Sequence, residues 1–230
     1  MSSSAVTALD IVNKILTRMR EATVGSINDT DQSSAILRFV NDAKREVEDS
    51  FDWTALQETI TVTTSAGTEL YTLEEGSVYT NQRSRVVDVY NNTTQVRLMG
   101  VPFDYVRRQS QTTNNEQAEP VQYAVAGYTA EQSLQIRFYQ TPDAAYSMVV
   151  EVVNPQEDLN ANAQYTKVPW HPVYLRALAL AVRERGEDEG EQYSEIQRAY
   201  QQAIGDAIAY EQRHKFQAEG GGDWTVLGDY

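Results

Sequence analysis

The sequence predicts an α+β protein: a helical bundle formed by N- and C-terminal helices, an inserted antiparallel β-sandwich or barrel domain, and a C-terminal extended arm. Three observations predict it. Apolar residues recur at steps of three and four near both ends of the chain. Between those ends the period changes to the alternation of strands. Three consecutive glycines, Gly220, Gly221 and Gly222, then precede an aromatic tail. The boundaries drawn are 1–56 plus 166–215 for the discontinuous helical domain, 57–165 for the β domain and 216–230 for the arm.

The first helix is predicted from Ser4 to Glu21, where Val6, Leu9, Val12, Ile15, Leu16 and Met19 make one stripe. Thr23 to Thr30 reads as a loop. Asp31 or Ser33 caps a second helix, whose apolar face is Ile36, Phe39, Val40, Ala43 and Val47. Its opposite, solvent-facing side is assigned Asp42, Lys44, Arg45, Glu48 and Asp49, and it stops near Phe51-Asp52-Trp53. Ile60 and Val62 alternate with threonines in a first strand, and Ala66-Gly67-Thr68 turns it into a hairpin with Glu69 to Leu73. Arg85 to Tyr90, with Val87 and Val89 on one face, turns at Asn91-Asn92 into Gln95 to Met99. Val101 to Glu119 is read as a long loop with one helical turn around Phe103 to Arg108. Three more strands follow at Val121–Ala126, Ser133–Tyr139 and Tyr146–Val153, separated by turns at Gly127 and Pro142-Asp143.

Helical spacing returns after Pro169. Pro172 suits a first turn, and Tyr174, Leu175, Leu178, Ala179 and Val182 form the stripe, with Gly186 as the stop. The last helix begins within the acidic run Glu187 to Glu191. Its packing seam is Tyr193, Ile196, Tyr200 and Ile204, joined by Ala203 and Ala207, and Arg213, His214 and Lys215 close it. Beyond the hinge Gly220, Gly221 and Gly222, the residues Trp224, Val226, Leu227 and Tyr230 form an apolar, aromatic cluster that is unusual for a discarded end, with a frayed terminus as the alternative. They read as a docking arm anchored by Trp224.

Composition narrows the function classes. With no cysteine, the 230 residues hold no disulfide, thiolate nucleophile or thiolate metal ligand. The 33 acidic and 19 basic residues give a net charge of −14, which opposes tight binding to nucleic-acid phosphates; it serves solubility, and it also suits a surface that DNA passes without sticking. Fourteen tyrosines against five phenylalanines favour half-buried surfaces such as subunit interfaces. No apolar run approaches the roughly 20 residues of a membrane span, and the N-terminus lacks signal-peptide regions, so a protein folding in a cytoplasm is expected.

No catalytic, cofactor-binding or metal-binding set stands out. His171 and His214 fall at helix ends, and no HExxH, GxSxG or phosphate-cradling glycine loop is present. The acids Glu184, Glu187, Asp188, Glu189 and Glu191 lack the spacing and central glycine of a calcium loop. A carboxylate pair for glycoside hydrolysis is set by fold and not by spacing, so a virion-associated cell-wall hydrolase stays open as an alternative.

Several segments in order carry a resemblance. Phe39-Val40-Asn41-Asp42-Ala43-Lys44-Arg45-Glu46-Val47 and Phe51-Asp52-Trp53-Thr54-Ala55-Leu56 come first. Thr61 to Thr68 and Tyr71-Thr72-Leu73 follow, then Glu119 to Val125, Phe138-Tyr139-Gln140-Thr141-Pro142, and Val168-Pro169-Trp170-His171-Pro172 before Ala177 to Ala181. Together they resemble the bacteriophage head-to-tail adaptors of short-tailed phages, the tail tubular A-type and packaged-DNA-stabilising connectors. The resemblance departs at Glu74-Glu75-Gly76, where the family usually has a proline after the second hairpin strand. It implies a non-enzymatic virion protein without cofactors, located at the head–tail junction and in the host cytoplasm during assembly. It implies a homo-oligomeric ring, typically twelvefold, below the portal, which extends the DNA channel and helps retain the packaged genome. Double-stranded DNA would pass the lumen without specific contact. A tail or nozzle protein would dock beneath, against loops Glu74 to Ser84 and Phe103 to Glu119, and no membrane is involved. By the same analogy Phe216, Trp224, Val226, Leu227 and Tyr230 bind the portal. A tail-completion subunit that never touches the portal is the second alternative.

Overall fold

The computed structural model describes residues 6–76, 78–112, 117–186 and 190–219. It is an α+β structure of two units: Met1–Ala55 with Gln156–Tyr230, and Leu56–Pro155. The stretch 156–165, assigned from sequence to the β domain, therefore lies in the helical unit, and Leu56 lies in the β unit.

In the helical unit, α1 (Ala8–Arg18) starts four residues later than predicted. Thr7 stops it from starting earlier. Its hydroxyl accepts the Asp10 N–H at 3.2 Å, while the Asp10 carboxylate accepts the Thr7 N–H at 2.9 Å and its hydroxyl at 2.7 Å. Those bonds, the backbone one first, hold the Asp10 carboxyl below its usual pKa. Ile11, Val12, Ile15 and Leu16 are buried, whereas Leu9 and Met19 sit at the margin of the core. α2 (Asp31–Ser50) is capped by Thr30; Ser33 is its reciprocal partner and Asp31 is simply its first residue.

The solvent face assigned to α2 is corrected by the structure. Lys44 and Glu48 are buried, with side chains 0% exposed, and pair at 3.0 Å one turn apart. Lys44 Nζ also donates to the Gln156 carbonyl at 2.6 Å, and Glu48 accepts the Gln156 N–H at 3.3 Å. One turn earlier Asn41 does the same for Leu159, accepting its N–H at 2.8 Å and donating to its carbonyl at 3.1 Å. The segment 156–159 thus runs along α2 with its backbone polar groups met by side chains. Periodicity missed this because it sorts residues by polarity, and a buried charge is tolerated wherever a partner cancels it.

α4 (Trp170–Glu184) has Pro172 in its first turn and is buried along most of its girth: Val173, Leu175, Ala177, Leu178, Ala179, Ala181 and Val182. That is more than one stripe, because α4 packs against α1, α2 and the last helix, α5 (Glu191–Glu219), together. Gly186, at φ 75°, follows its C-cap Arg185, a left-handed turn that a side chain would strain. α5 returns along α4. Its length corrects two expectations. Arg213, His214 and Lys215 are not its last turn, and Phe216 lies within the helix and not in an extended arm.

The β unit is a sandwich of two four-stranded sheets. One has the order β1 (Gln57–Thr63), β10 (Ser147–Val153), β5 (Arg85–Asn91), β6 (Val96–Arg97), all antiparallel. The other has the order β2 (Leu70–Thr72), β9 (Leu134–Tyr139), β8 (Gln122–Tyr128), β7 (Met99–Gly100), with β7 and β8 parallel. Ile60, Val62, Val89, Met148, Val150 and Val152 meet Leu134, Ile136 and Phe138 in the core, with Leu73 and Leu98. Ala66-Gly67-Thr68 is accordingly not a hairpin turn. It carries the chain from one sheet to the other, since β1 pairs with β10 and β2 with β9.

Local irregularities explain the remaining differences. A register shift opposite Glu151/Val152 leaves Val87 without a partner and turned out, 45% exposed, while Val89 stays in the core. Gly127 lies within β8 at a second register shift, with φ 128°, and is not the turn residue expected there. The segment from Glu74 forms a small hairpin, β3 (Glu74–Glu75) with β4 (Val78–Tyr79), and the Glu75 carboxylate accepts the Thr61 N–H at 2.6 Å on the free side of edge strand β1. The predicted loop after Val101 contains a full helix, α3 (Phe103–Thr112), whose Val106 is buried and whose Phe103 ring lies under the Arg137 guanidinium, 5.9 Å away.

Replacing Lys44 by methionine strands the Glu48 carboxylate and the Gln156 carbonyl in the core. Urea unfolding of Lys44→Met should show a loss of about 3–5 kcal/mol. A loss under about 1 kcal/mol would mean that the pair does not fasten the segment 156–159.

Candidate assembly surfaces

Three features of the helical unit bear on binding. The first is the seam between α4 and α5. Ile196, Tyr200 and Ile204 are buried and Tyr193 is half-buried at its margin. The polar half of this seam was invisible in the sequence. Arg176 of α4 lies with its guanidinium 5.8 Å from the Tyr200 ring and donates two hydrogen bonds to Glu46 of α2, at 2.5 and 2.9 Å. One cation therefore ties three helices. Burial, and then the nearby Glu46 carboxylate, raise the Tyr200 pKa against the opposing pull of Arg176.

The second is a groove of about 630 Å³ between the start of α4 and the second half of α5. Trp53, Tyr165, Pro169, Trp170, Ala203, Ala207 and Tyr210 line it, and Tyr165 and Tyr210 stand 57% and 64% exposed at its rim. Its floor is firmly held. Trp53 donates its indole N–H to the Val47 carbonyl at 2.7 Å, and Glu211 of α5 accepts the Thr54 N–H at 2.7 Å. Lys215 donates to the Asp52 carbonyl and covers the Phe51 ring at 5.0 Å. His214, expected only to complement a helix end, packs edge-on against Tyr210 with ring centroids 4.5 Å apart.

The third is a concavity of about 930 Å³ between α1 and the start of α4, lined among others by Lys14, Arg18, Arg20, Trp170, His171 and Tyr174. His171 stacks on Tyr174 and meets Trp170 edge-on, and Lys14 Nζ lies 5.5 Å from the Trp170 ring. The sequence places Trp170 and His171 in a motif at a helix start and gives His171 no catalytic setting. The basic residues of α1 attracted no attention, because their relation to α4 is tertiary.

Gly220, Gly221, Gly222, Trp224, Val226, Leu227 and Tyr230 lie outside the described residues, as do Glu187, Asp188 and Glu189. Glu184 and Glu191, which flank the latter, are exposed. Among the described residues no three histidine or acidic side chains converge to hold a metal ion, and no helix is long and apolar enough to cross a membrane.

Open hollows rimmed by tyrosine, tryptophan and arginine are the composition of protein–protein interfaces. The chain belongs to the SU10 adaptor protein family, whose model it matches over residues 6–222, and is thereby a phage head-to-tail adaptor, a structural protein of the virion. Comparison with curated proteins gave no match.

The raised Tyr200 pKa makes the seam sensitive to alkali. The folded chain holds this proton more tightly than the unfolded one, so the contribution to stability is fully present below about pH 10. It is lost as pH rises through the elevated value. Above about pH 10, thermal melting of the native chain should therefore fall more steeply with pH than that of Tyr200→Phe. Parallel curves would show that the seam does not sense this ionisation.

Proposed function

We propose that the chain assembles as a closed ring of about twelve copies beneath the portal, by a repeated head-to-tail contact whose rotation closes on itself. The ring extends the DNA channel, helps retain the packaged genome and gives the tail or nozzle protein its platform. The observation that carries this reading is membership of the adaptor family over residues 6–222. The net charge of −14 supports it, since a lumen sharing that sign lets double-stranded DNA slide without adhering. Work is done through buried surface, without bond chemistry.

In this reading Trp224, Val226, Leu227 and Tyr230 form an arm that docks on the portal, hinged at Gly220, Gly221 and Gly222. Phe216 belongs to the helix that delivers it. A single tryptophan in a pocket commonly supplies about 2 kcal/mol or more of binding energy, and neighbouring aliphatic residues exclude water around it. The hairpin β3–β4 and helix α3 of the β unit face the tail component.

Two measurements test the proposal. Deleting residues 220–230 should leave a folded chain, with unchanged far-ultraviolet dichroism, that fails to attach to purified portals; attachment at the native level removes the arm from the mechanism. Incubation with peptidoglycan should release no soluble sugar. Release that disappears on substituting one carboxylate would replace the structural reading by a hydrolase.

A further inference from the structure

The concavity between α1 and α4 carries charge of the sign the chain otherwise lacks. Lys14 and Arg18 stand one turn apart on the exposed side of α1, and Arg20 follows directly after it. Like charges at that spacing destabilise a helix. Asp10 lies within electrostatic reach of Lys14, which helps to hold its carboxyl below the usual pKa, but among the described residues no acid forms an ion pair with any of the three cations. Asp10 is engaged in the cap with Thr7, and Glu21 is held by Arg185 at 2.7 Å. Glu191 and Glu195 border the adjoining hollow with Arg18 and Arg20, yet among the described residues neither arginine has an ion-pair partner.

Arg20 is also held in an unfavourable backbone conformation. α1 ends in a complete Schellman turn, with Arg20 N–H bonded to the Thr17 carbonyl at 3.1 Å and Glu21 N–H to the Leu16 carbonyl at 2.9 Å. Arg20 takes the left-handed position of that turn, at φ 61°, where glycine is favoured and another L-residue is strained. An arginine with no ion pair among the described residues therefore occupies a place where glycine would be more stable. Beside it Trp170, His171 and Tyr174 offer a ring cluster that is half-buried to exposed.

We propose that this basic, aromatic-floored concavity is the receptor half of the contact between neighbouring copies, taking an acidic surface of a second copy of this chain. The inference rests on the ring reading above and adds where its contact lies. Charge complementarity selects the occupant. A chain of net charge −14 has acidic residues in excess to offer, and a local group of three cations is what a neighbour of that kind can meet. Nucleic acid is the weaker candidate. Three cations release few counterions, and the surrounding acid repels phosphates. Contact with a neighbour would neutralise Lys14 and Arg18 and would offset the backbone cost at Arg20.

The test compares self-association of the full-length native chain, Arg20→Gly and the double variant Arg18→Glu/Arg20→Glu, alone and on purified portals, by mass photometry at about 0.1 M and 1 M salt. The native chain should associate, and the higher salt should weaken it about tenfold or more. The double variant should lose about tenfold or more at the lower salt, with helical dichroism unchanged. Arg20→Gly is the decisive variant. Its melting temperature should hold or rise, because glycine suits the left-handed turn, while association falls. Variants that assemble as the native chain does would remove this surface from the contact and leave the ring intact. A native chain that stays monomeric even on portals would end the ring reading and this one with it. Loss of retention on double-stranded DNA with assembly unchanged would assign the concavity to nucleic acid and overturn the proposal.

Discussion

Three inward-facing polar side chains of α2 determine how the helical unit closes. Asn41, Lys44 and Glu48 meet the backbone of Gln156 and Leu159, so a segment without regular structure is buried against a helix with its donors and acceptors satisfied. Without them, burying Leu159 and the buried end of α2 would leave several backbone groups dry and unpaired, each costing about 1–3 kcal/mol. With them, the chain that leaves α2 at Ser50 and the chain that returns at Gln156 are both fastened to the same helix. A strongly coupled, fully buried ion pair is a poor source of net stability but a strict demand on register. Here the register it sets is that of residues 156–168, which lead directly into α4.

The consequences run outward from that fastening. Asn162, six residues after Gln156, accepts the Ile27 N–H at 3.0 Å and steadies the α1–α2 loop. Gln164 accepts the Ala8 N–H at 2.7 Å and so anchors the start of α1. α1 and α4 then flank the basic concavity, and α4 and α5 the apolar groove. The surfaces with binding character are thus supported by a frame whose own polar groups are internally matched. An adaptor needs that division, because a partner can be read only by a surface that keeps its shape before the partner arrives.

How much of this was legible from the sequence depends on the range of the interaction. The helices α2, α4 and α5 and the strands β1, β5, β8, β9 and β10 follow from local period, since a stripe or an alternation is a property of neighbours in the chain. Gly186 was readable as a stop for the same reason. Pairing was not readable. Ala66-Gly67-Thr68 has the composition of a hairpin turn, but whether β2 returns beside β1 or crosses to the facing sheet depends on β9 and β10, some 70 residues away. The bulges at Val87 and Gly127 share that origin, because an extra residue in one strand is defined only against its partner. α3 escaped because after Phe103, Tyr105 and Val106 it is made of Arg, Gln, Ser and Thr, and of its described side chains Val106 alone is fully buried.

The binding features were the least legible, for a reason that Lys44 and Lys14 illustrate together. Both are lysines of amphipathic helices, and polarity alone assigns both to solvent. One is sealed in the core because Glu48 and the Gln156 carbonyl converge on its ammonium group. The other stays exposed beside the Trp170 ring, in electrostatic reach of Asp10 but without an ion pair among the described residues. The physical difference is whether the fold seals the charge against bonded partners. Where it does, the residue specifies the structure; where it does not, the residue is left for something outside the chain to satisfy. The identity of the residue was plain in both cases, and its role was decided by geometry that brings together positions 14 and 170, or 44 and 156.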